Sequence, residues 1–132
     1  MLYTSLQYLP HKISCSKSIE NEFKIAFSSE ESKRAKGIVY FFLSEKPIPR
    51  VSGESRILYI GKTSTSLHSR YYRHSRALSS NKNGAFYSHI IEKYGPITFG
   101  YFFSEDPRID EHKYFSEYYE RHLEHPPKSK VG

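Results

Sequence analysis

The chain alternates apolar runs with connections rich in serine and charge. Ser16 and Ser18 are two candidate caps, and behind them Ile19, Phe23, Ala26 and Phe27 recur at helical spacing, predicting an N-terminal helix. Residues 28–36 are polar and charged, which predicts a loop or a short exposed helix. Gly37 then opens the run Ile38-Val39-Tyr40-Phe41-Phe42-Leu43, rich in β-formers and of strand length. Pro47, Pro49 and Gly53 predict a long turn over residues 44–55. A second strand follows over residues 56–60, stopped by Gly61. Paired as a hairpin centred in that turn, the two strands set Tyr40 opposite Tyr59, with Ile38 and Phe42 on the same face as Tyr40.

Ser64, Thr65 and Ser66 offer caps for a helix carrying Leu67, Tyr71, His74 and Leu78 on one stripe, with Arg70, Arg73 and Arg76 on the same helix and Lys82 just beyond. After a break at residues 81–84, a further helix carries Phe86, Ile90 and Tyr94 and ends at Gly95-Pro96. Residues 97–103 predict a third strand. Asp106-Pro107 is a cap followed by proline at the first helical position. The last helix clusters Glu111, Tyr114, Phe115, Tyr118, Tyr119 and His122 toward one side and stops at Pro126-Pro127. The order helix, strand, strand, helix, helix, strand, helix predicts an α/β domain around a small, partly antiparallel sheet. Residues 1–36 form an N-terminal helical extension, residues 37–127 the core and residues 128–132 a basic tail.

Composition narrows the partners. The 132 residues hold 20 Lys and Arg against 14 Asp and Glu, a net charge of +6, which favours a polyanion. The 12 Tyr and 9 Phe make the chain too aromatic for a disordered polymer. No stretch approaches the length of a membrane span, and the start lacks a signal-peptide pattern. A single cysteine, Cys15, excludes an internal disulfide framework and a cysteine-based zinc cage and fits a reducing, cytoplasmic setting. The remaining histidines show no metal-ligand spacing.

Gly37-Ile38-Val39-Tyr40, then Tyr59-Ile60-Gly61-Lys62-Thr63, then Leu67-xx-Arg70-xxx-His74 resembles the GIY-YIG nuclease family over residues 37–126, roughly two-thirds of the chain. Each motif alone is weak; their order, on a strand, a hairpin and a helix with a glutamate on a late helix, is specific. The resemblance implies a three-stranded antiparallel sheet flanked by helices. It also implies hydrolysis of DNA phosphodiesters with a single divalent cation, Mg²⁺ or another such as Mn²⁺. The Pro126 ending and the approach Phe102-Phe103-Ser104-Glu105-Asp106-Pro107 look most like the restriction-endonuclease members.

The chemistry of the residues agrees. Phosphodiester hydrolysis needs an activated water, cationic stabilisation of the crowded phosphorus and neutralisation of the leaving oxygen. Tyr40 and Tyr59 are the candidates at the water, although a tyrosine needs a depressed pKa or a neighbouring cation to act as base. Lys62 is placed to supply that field and His74 to support it. Arg70 brings a planar fork suited to a phosphate oxygen. The cation needs an oxygen ligand from the last helix. Glu111 is followed by aromatic residues at the offsets that face a sheet, whereas Glu117 is followed by Glu120, Arg121 and Glu124, a solvated pattern. Glu111 is therefore the expected ligand and Glu117 the alternative.

Arg73, Arg76, Lys82 and the tail Lys128-Ser129-Lys130 are expected to hold the backbone of double-stranded DNA, in salt-sensitive fashion. Tyr72 and Tyr87 are candidates for base stacking. A homodimer is the simplest way to cut both strands, since one active site cuts one. Many family members carry an asparagine soon after the glutamate helix; residues 126–132 contain none, and Asn81 and Asn83 lie elsewhere. That departure leaves open a catalytically silent nucleic-acid-binding module of the same fold. The basic charge also admits a small adaptor domain for an acidic protein partner.

Overall fold

The computed structural model describes residues 5–128. Strand β1 is Gln7–Tyr8, followed by helices α1 (Ile19–Ala26) and α2 (Glu30–Arg34). The long strands β2 (Lys36–Pro49) and β3 (Glu54–Ser66) form a hairpin. Next come α3 (Leu67–Tyr71), a 3-10 turn over Tyr72–His74, α4 (Ser75–Ser79) and α5 (Asn81–Tyr94). Strand β4 (Thr98–Phe103) and helix α6 (Pro107–His122) complete the order.

The α/β class holds, but the sheet has four strands, in the order β1-β4-β2-β3 with every pairing antiparallel, and not the three expected. The additional strand lies in the N-terminal extension. Gln7 and Tyr8 pair with Tyr101 and Gly100, and the Leu9 amide donates to the Phe99 carbonyl at 3.0 Å. A two-residue strand is too short to carry an alternating pattern, so only its pairing partner reveals it. Gly100 permits the crossing: a Cβ there would lie 3.0 Å from Leu6 Cδ1 and 3.2 Å from Tyr8 Cε1.

Both hairpin strands run further than their apolar cores, and the turn shrinks to residues 50–53. Pro47 and Pro49 lie within β2. They are tolerated because β2 pairs with β4 only as far as Leu43, beyond which one side of the strand has no neighbour to satisfy. The tip is clasped by the end of α6: the Ser52 amide donates to the His122 carbonyl at 3.1 Å, and Arg50 pairs with Glu124 at 3.0 Å.

The helix expected from Leu67 to Leu78 is broken at the 3-10 turn, and the expected break at residues 81–84 is instead the first turn of α5. Two serines explain the shift. The Ser79 and Ser80 hydroxyls donate back to the carbonyls of Arg76 and Ala77, ending α4, while the Ser80 carbonyl accepts from Asn83 and Gly84 and starts α5. Helix α6 begins as expected, with Asp106 accepting from the Ile109 amide at 3.2 Å and Pro107 in the first turn. It ends before Pro126, at His122, where Leu123 takes φ 60°.

The sheet separates two cores. One face carries Ile38, Tyr40, Phe42, Leu58, Phe99 and Tyr101 beneath α1, α3 and α5. Phe23 of α1 and Phe27, just past its end, pack there, with ring centroids 5.9 and 4.9 Å from Phe99, so the N-terminal extension builds the same core as the motif-bearing strands. The other face carries Val39, Phe41, Leu43, Ile57 and Ile60 against Tyr114, Phe115 and Tyr118 of α6.

Candidate functional site

Hairpin register decides how the tyrosines meet. Tyr40 pairs with Gly61 and Tyr59 with Phe42, two residues away from the directly opposed arrangement expected. An even slip keeps every side chain on its face. Tyr40 and Tyr59 are therefore diagonal neighbours on one face, with ring centroids 5.9 Å apart. Gly61 does not stop β3; it lies under the rings. A Cβ at Gly61 would sit 2.5 Å from Tyr40 Cζ, 2.6 Å from its hydroxyl and 2.7 Å from Tyr59 Cε2. The glycine of the Tyr-Ile-Gly motif is thus the floor on which both phenols rest.

Helix α3 follows β3 without a loop. Ser66 caps it by accepting from the Ser69 amide at 3.0 Å, which aims Leu67 and Tyr71 into the core and leaves Arg70 exposed. The Tyr71 hydroxyl reaches the Tyr40 hydroxyl at 2.5 Å. The Arg70 guanidinium lies 5.2 Å from the centre of the Tyr71 ring. Burial, and next the Tyr59 phenol, pushes Tyr40 well above the usual tyrosine range; burial and then Tyr40 do the same to Tyr71. Both phenols are therefore neutral at physiological pH. Tyr40 is a hydrogen-bonding and positioning group there and not a base, while the half-buried Tyr59 is the phenol of the pair that reaches solvent. Partial burial works against the Arg70 charge, but the phenol oxygens of Tyr71, Tyr40 and Tyr59 outweigh it and hold the guanidinium firmly protonated.

Lys62 and Glu111 form a second group. Lys62 pairs with Val39, so its side chain leaves β3 on the α6 face, opposite the phenols. There Lys62 Nζ is 3.9 Å from Glu111 Oε1. Burial raises the Glu111 carboxyl above the usual carboxylate range, partly offset by Lys62 and His112. Glu111 is half-buried at the start of the stripe formed by Tyr114, Phe115 and Tyr118, whereas Glu117 is exposed, as the helical spacing predicted. Tyr119, expected on that stripe, is 48% exposed. The cation beside the phenols is thus Arg70 and not Lys62, and the expected site is split between the two faces of β3, an edge strand.

His74, Arg73, Arg76 and Lys82 are exposed and make no ion pair among the described residues. Lys128 is engaged in the fold: its amide donates to the Leu58 carbonyl at 2.8 Å and its ammonium to Asn83 Oδ1. Ser129 and Lys130 lie outside the described residues. Tyr87 is 1% exposed, which removes it as a stacking platform, whereas Tyr72 is 39% exposed and lies against His68 with ring centroids 4.7 Å apart. Tyr71 is the participant that spacing alone did not single out, because its sequence signal is that of a buried helix position and its partner is 31 residues away.

No helix among the described residues is long and apolar enough to cross a membrane. Comparison with family models, curated proteins and solved structures gives no match.

Proposed function

We propose that this protein is a metal-dependent DNA endonuclease of the GIY-YIG type that hydrolyses phosphodiester bonds. The observation that carries the proposal is the gathering of Tyr40 and Tyr59 over Gly61 with Arg70 beside them on the Tyr71 ring, the residues and the glycine that the three motifs supply. Arg70, exposed yet braced by the Tyr71 ring, offers its fork to the scissile phosphate. Tyr59 orients the attacking water, with neutral Tyr40 holding the phenol pair in place. Arg73, Arg76 and Lys82 hold the flanking backbone of double-stranded DNA by charge.

Glu111 suits a divalent cation of a particular kind. Among the described residues no group of three or more His, Cys, Asp or Glu comes together, and Glu111 is the carboxylate this reading assigns to the cation. One half-buried carboxylate fits a hard cation such as Mg²⁺ or Mn²⁺, which keeps most of its water and takes further oxygens from the substrate. When bound, such a cation supplies neutralisation of the charge that develops on the leaving oxygen. Lys62, 3.9 Å from Glu111, favours the ionised carboxylate that would hold such a cation. A backbone crossing the edge of β3 would meet both groups, and a homodimer would bring two such edges to the two strands. A restriction-type activity and a cytoplasmic location belong to the same proposal.

The test is incubation with supercoiled plasmid in Mg²⁺ or Mn²⁺ against EDTA. Nicking or linearisation is expected with the cation, abolished in Arg70→Ala and Glu111→Ala while DNA binding persists. The separation of Lys62 and Glu111 from the phenols favours one second reading, a nucleic-acid-binding module without catalysis. Salt-sensitive binding with no cutting in either cation would select it.

A further inference from the structure

We infer that Tyr71 is a positioning residue of this site: one buried side chain aims the Tyr40 hydroxyl with its own hydroxyl and carries the Arg70 guanidinium on its ring. The inference rests on the nuclease reading above, and it adds a residue that none of the three motifs requires.

Two contacts meet on Tyr71. Its hydroxyl and that of Tyr40 are 2.5 Å apart, with the two residues 6% and 1% exposed. Neither phenol can ionise there, so one donates to the other and each fixes the other's rotor. The ring itself is clamped. It stacks on Phe27 at 5.0 Å, meets the Tyr40 ring edge-on at 5.7 Å and packs against Phe42 at 5.7 Å. Against this rigid ring the Arg70 guanidinium rests at 5.2 Å, although the arginine itself is exposed and would otherwise sample many rotamers. The end of α1 takes part through its cap residue Phe27, which makes the N-terminal extension a support of the site. The exposed arginine offered to the phosphate and the buried Tyr40 that holds the phenol pair are in this way set by the same residue.

Placement of this kind acts on turnover and not on affinity, because a small misplacement of a reacting group costs far more rate than binding. Tyr71→Phe keeps the ring, its stacking and the Arg70 contact while removing only the hydroxyl. The expected result is a drop in kcat on plasmid of about ten- to a hundredfold, with KM for DNA unchanged. Tyr40→Phe should lose a similar factor, and the double variant no more than the worse single, since both remove the same hydrogen bond. Tyr118→Phe, which removes a buried phenol on the opposite face, is the control for mere loss of stability and should keep the wild-type kcat. With ¹³Cζ-labelled tyrosine, Tyr71→Phe should also shift the Tyr40 resonance in the absence of DNA and metal.

Wild-type kcat in Tyr71→Phe, a raised KM at constant kcat, or additive losses in the double variant would each overturn the inference while leaving the nuclease proposal standing. A wild-type protein that binds DNA but never cuts it in Mg²⁺ or Mn²⁺ would overturn the nuclease proposal and the inference with it.

Discussion

Replacing Gly61 by alanine is the most direct test of the arrangement. The new methyl would lie 2.5 Å from Tyr40 Cζ and 2.7 Å from Tyr59 Cε2, distances that real carbon contacts do not reach. Gly61 is held in the middle of β3 by its pairing with Tyr40, so the backbone cannot withdraw. Tyr40, fully buried and bonded to Tyr71, has no free rotamer to adopt. One ring must therefore move, at an overpacking cost of about 1–3 kcal/mol. Displacing Tyr40 also strands buried hydroxyls, which adds about 1–3 kcal/mol. A total of about 2–6 kcal/mol follows, and at about 4 °C per kcal/mol a domain of this size loses about 8–24 °C in Tm. Thermal unfolding followed by near-ultraviolet circular dichroism reads both the stability and the tyrosine environment. Gly37→Ala is the contrast: nothing lies within 4 Å of its Cβ position, and only its φ of 63° opposes the side chain, for about 1 kcal/mol. If Gly61→Ala melted within about 2 °C of the wild type, the phenols would not be resting on Gly61, and the geometric basis of the site would fall.

Three further outcomes follow from the charges. Burial raises Glu111, so the folded state binds its proton more tightly than the unfolded chain; stability from this group is greatest at low pH and is lost as pH rises through its folded pKa. Glu111→Gln should therefore melt at or above the wild-type temperature at neutral pH while losing metal-dependent cutting, and a clear drop in Tm would contradict this. Glu22 is the opposite case. Burial pushes it up, but the amides of Ser14 and Cys15, at 2.8 and 2.9 Å, and the His11 ring outweigh burial and hold it below the usual range. Its contribution is present above the unfolded carboxylate pKa and lost as pH falls through the folded one, so Glu22→Gln should flatten the acid limb of a Tm-against-pH curve. Arg73→Ala and Arg76→Ala should each reduce the slope of log K against log salt for duplex binding by about 1, and an unchanged slope would remove them from the DNA-facing surface.

Local signals determined a good deal by themselves. Apolar runs gave the two central strands, the Asp106-Pro107 pair gave the start of α6, and Ile19, Phe23, Ala26 and Phe27 gave a helix with those four residues buried. The offsets after Glu111 and Glu117 told the half-buried glutamate from the exposed one, because helical period alone decides which face a residue shares. What needed the tertiary structure was everything set by pairing between distant segments. The two-residue β1 has no pattern of its own and exists because β4 offers it an open edge. Register, set by the clasped tip and the bulges in β2 and β3, put Gly61 rather than Tyr59 across from Tyr40. Strand alternation then sent Lys62 to the α6 face, and a contact spanning 31 residues brought Tyr71 to Tyr40. A motif specifies which side chains a short segment carries; which of them meet depends on how strands slide and where helices land, and these are settled by packing of the whole chain.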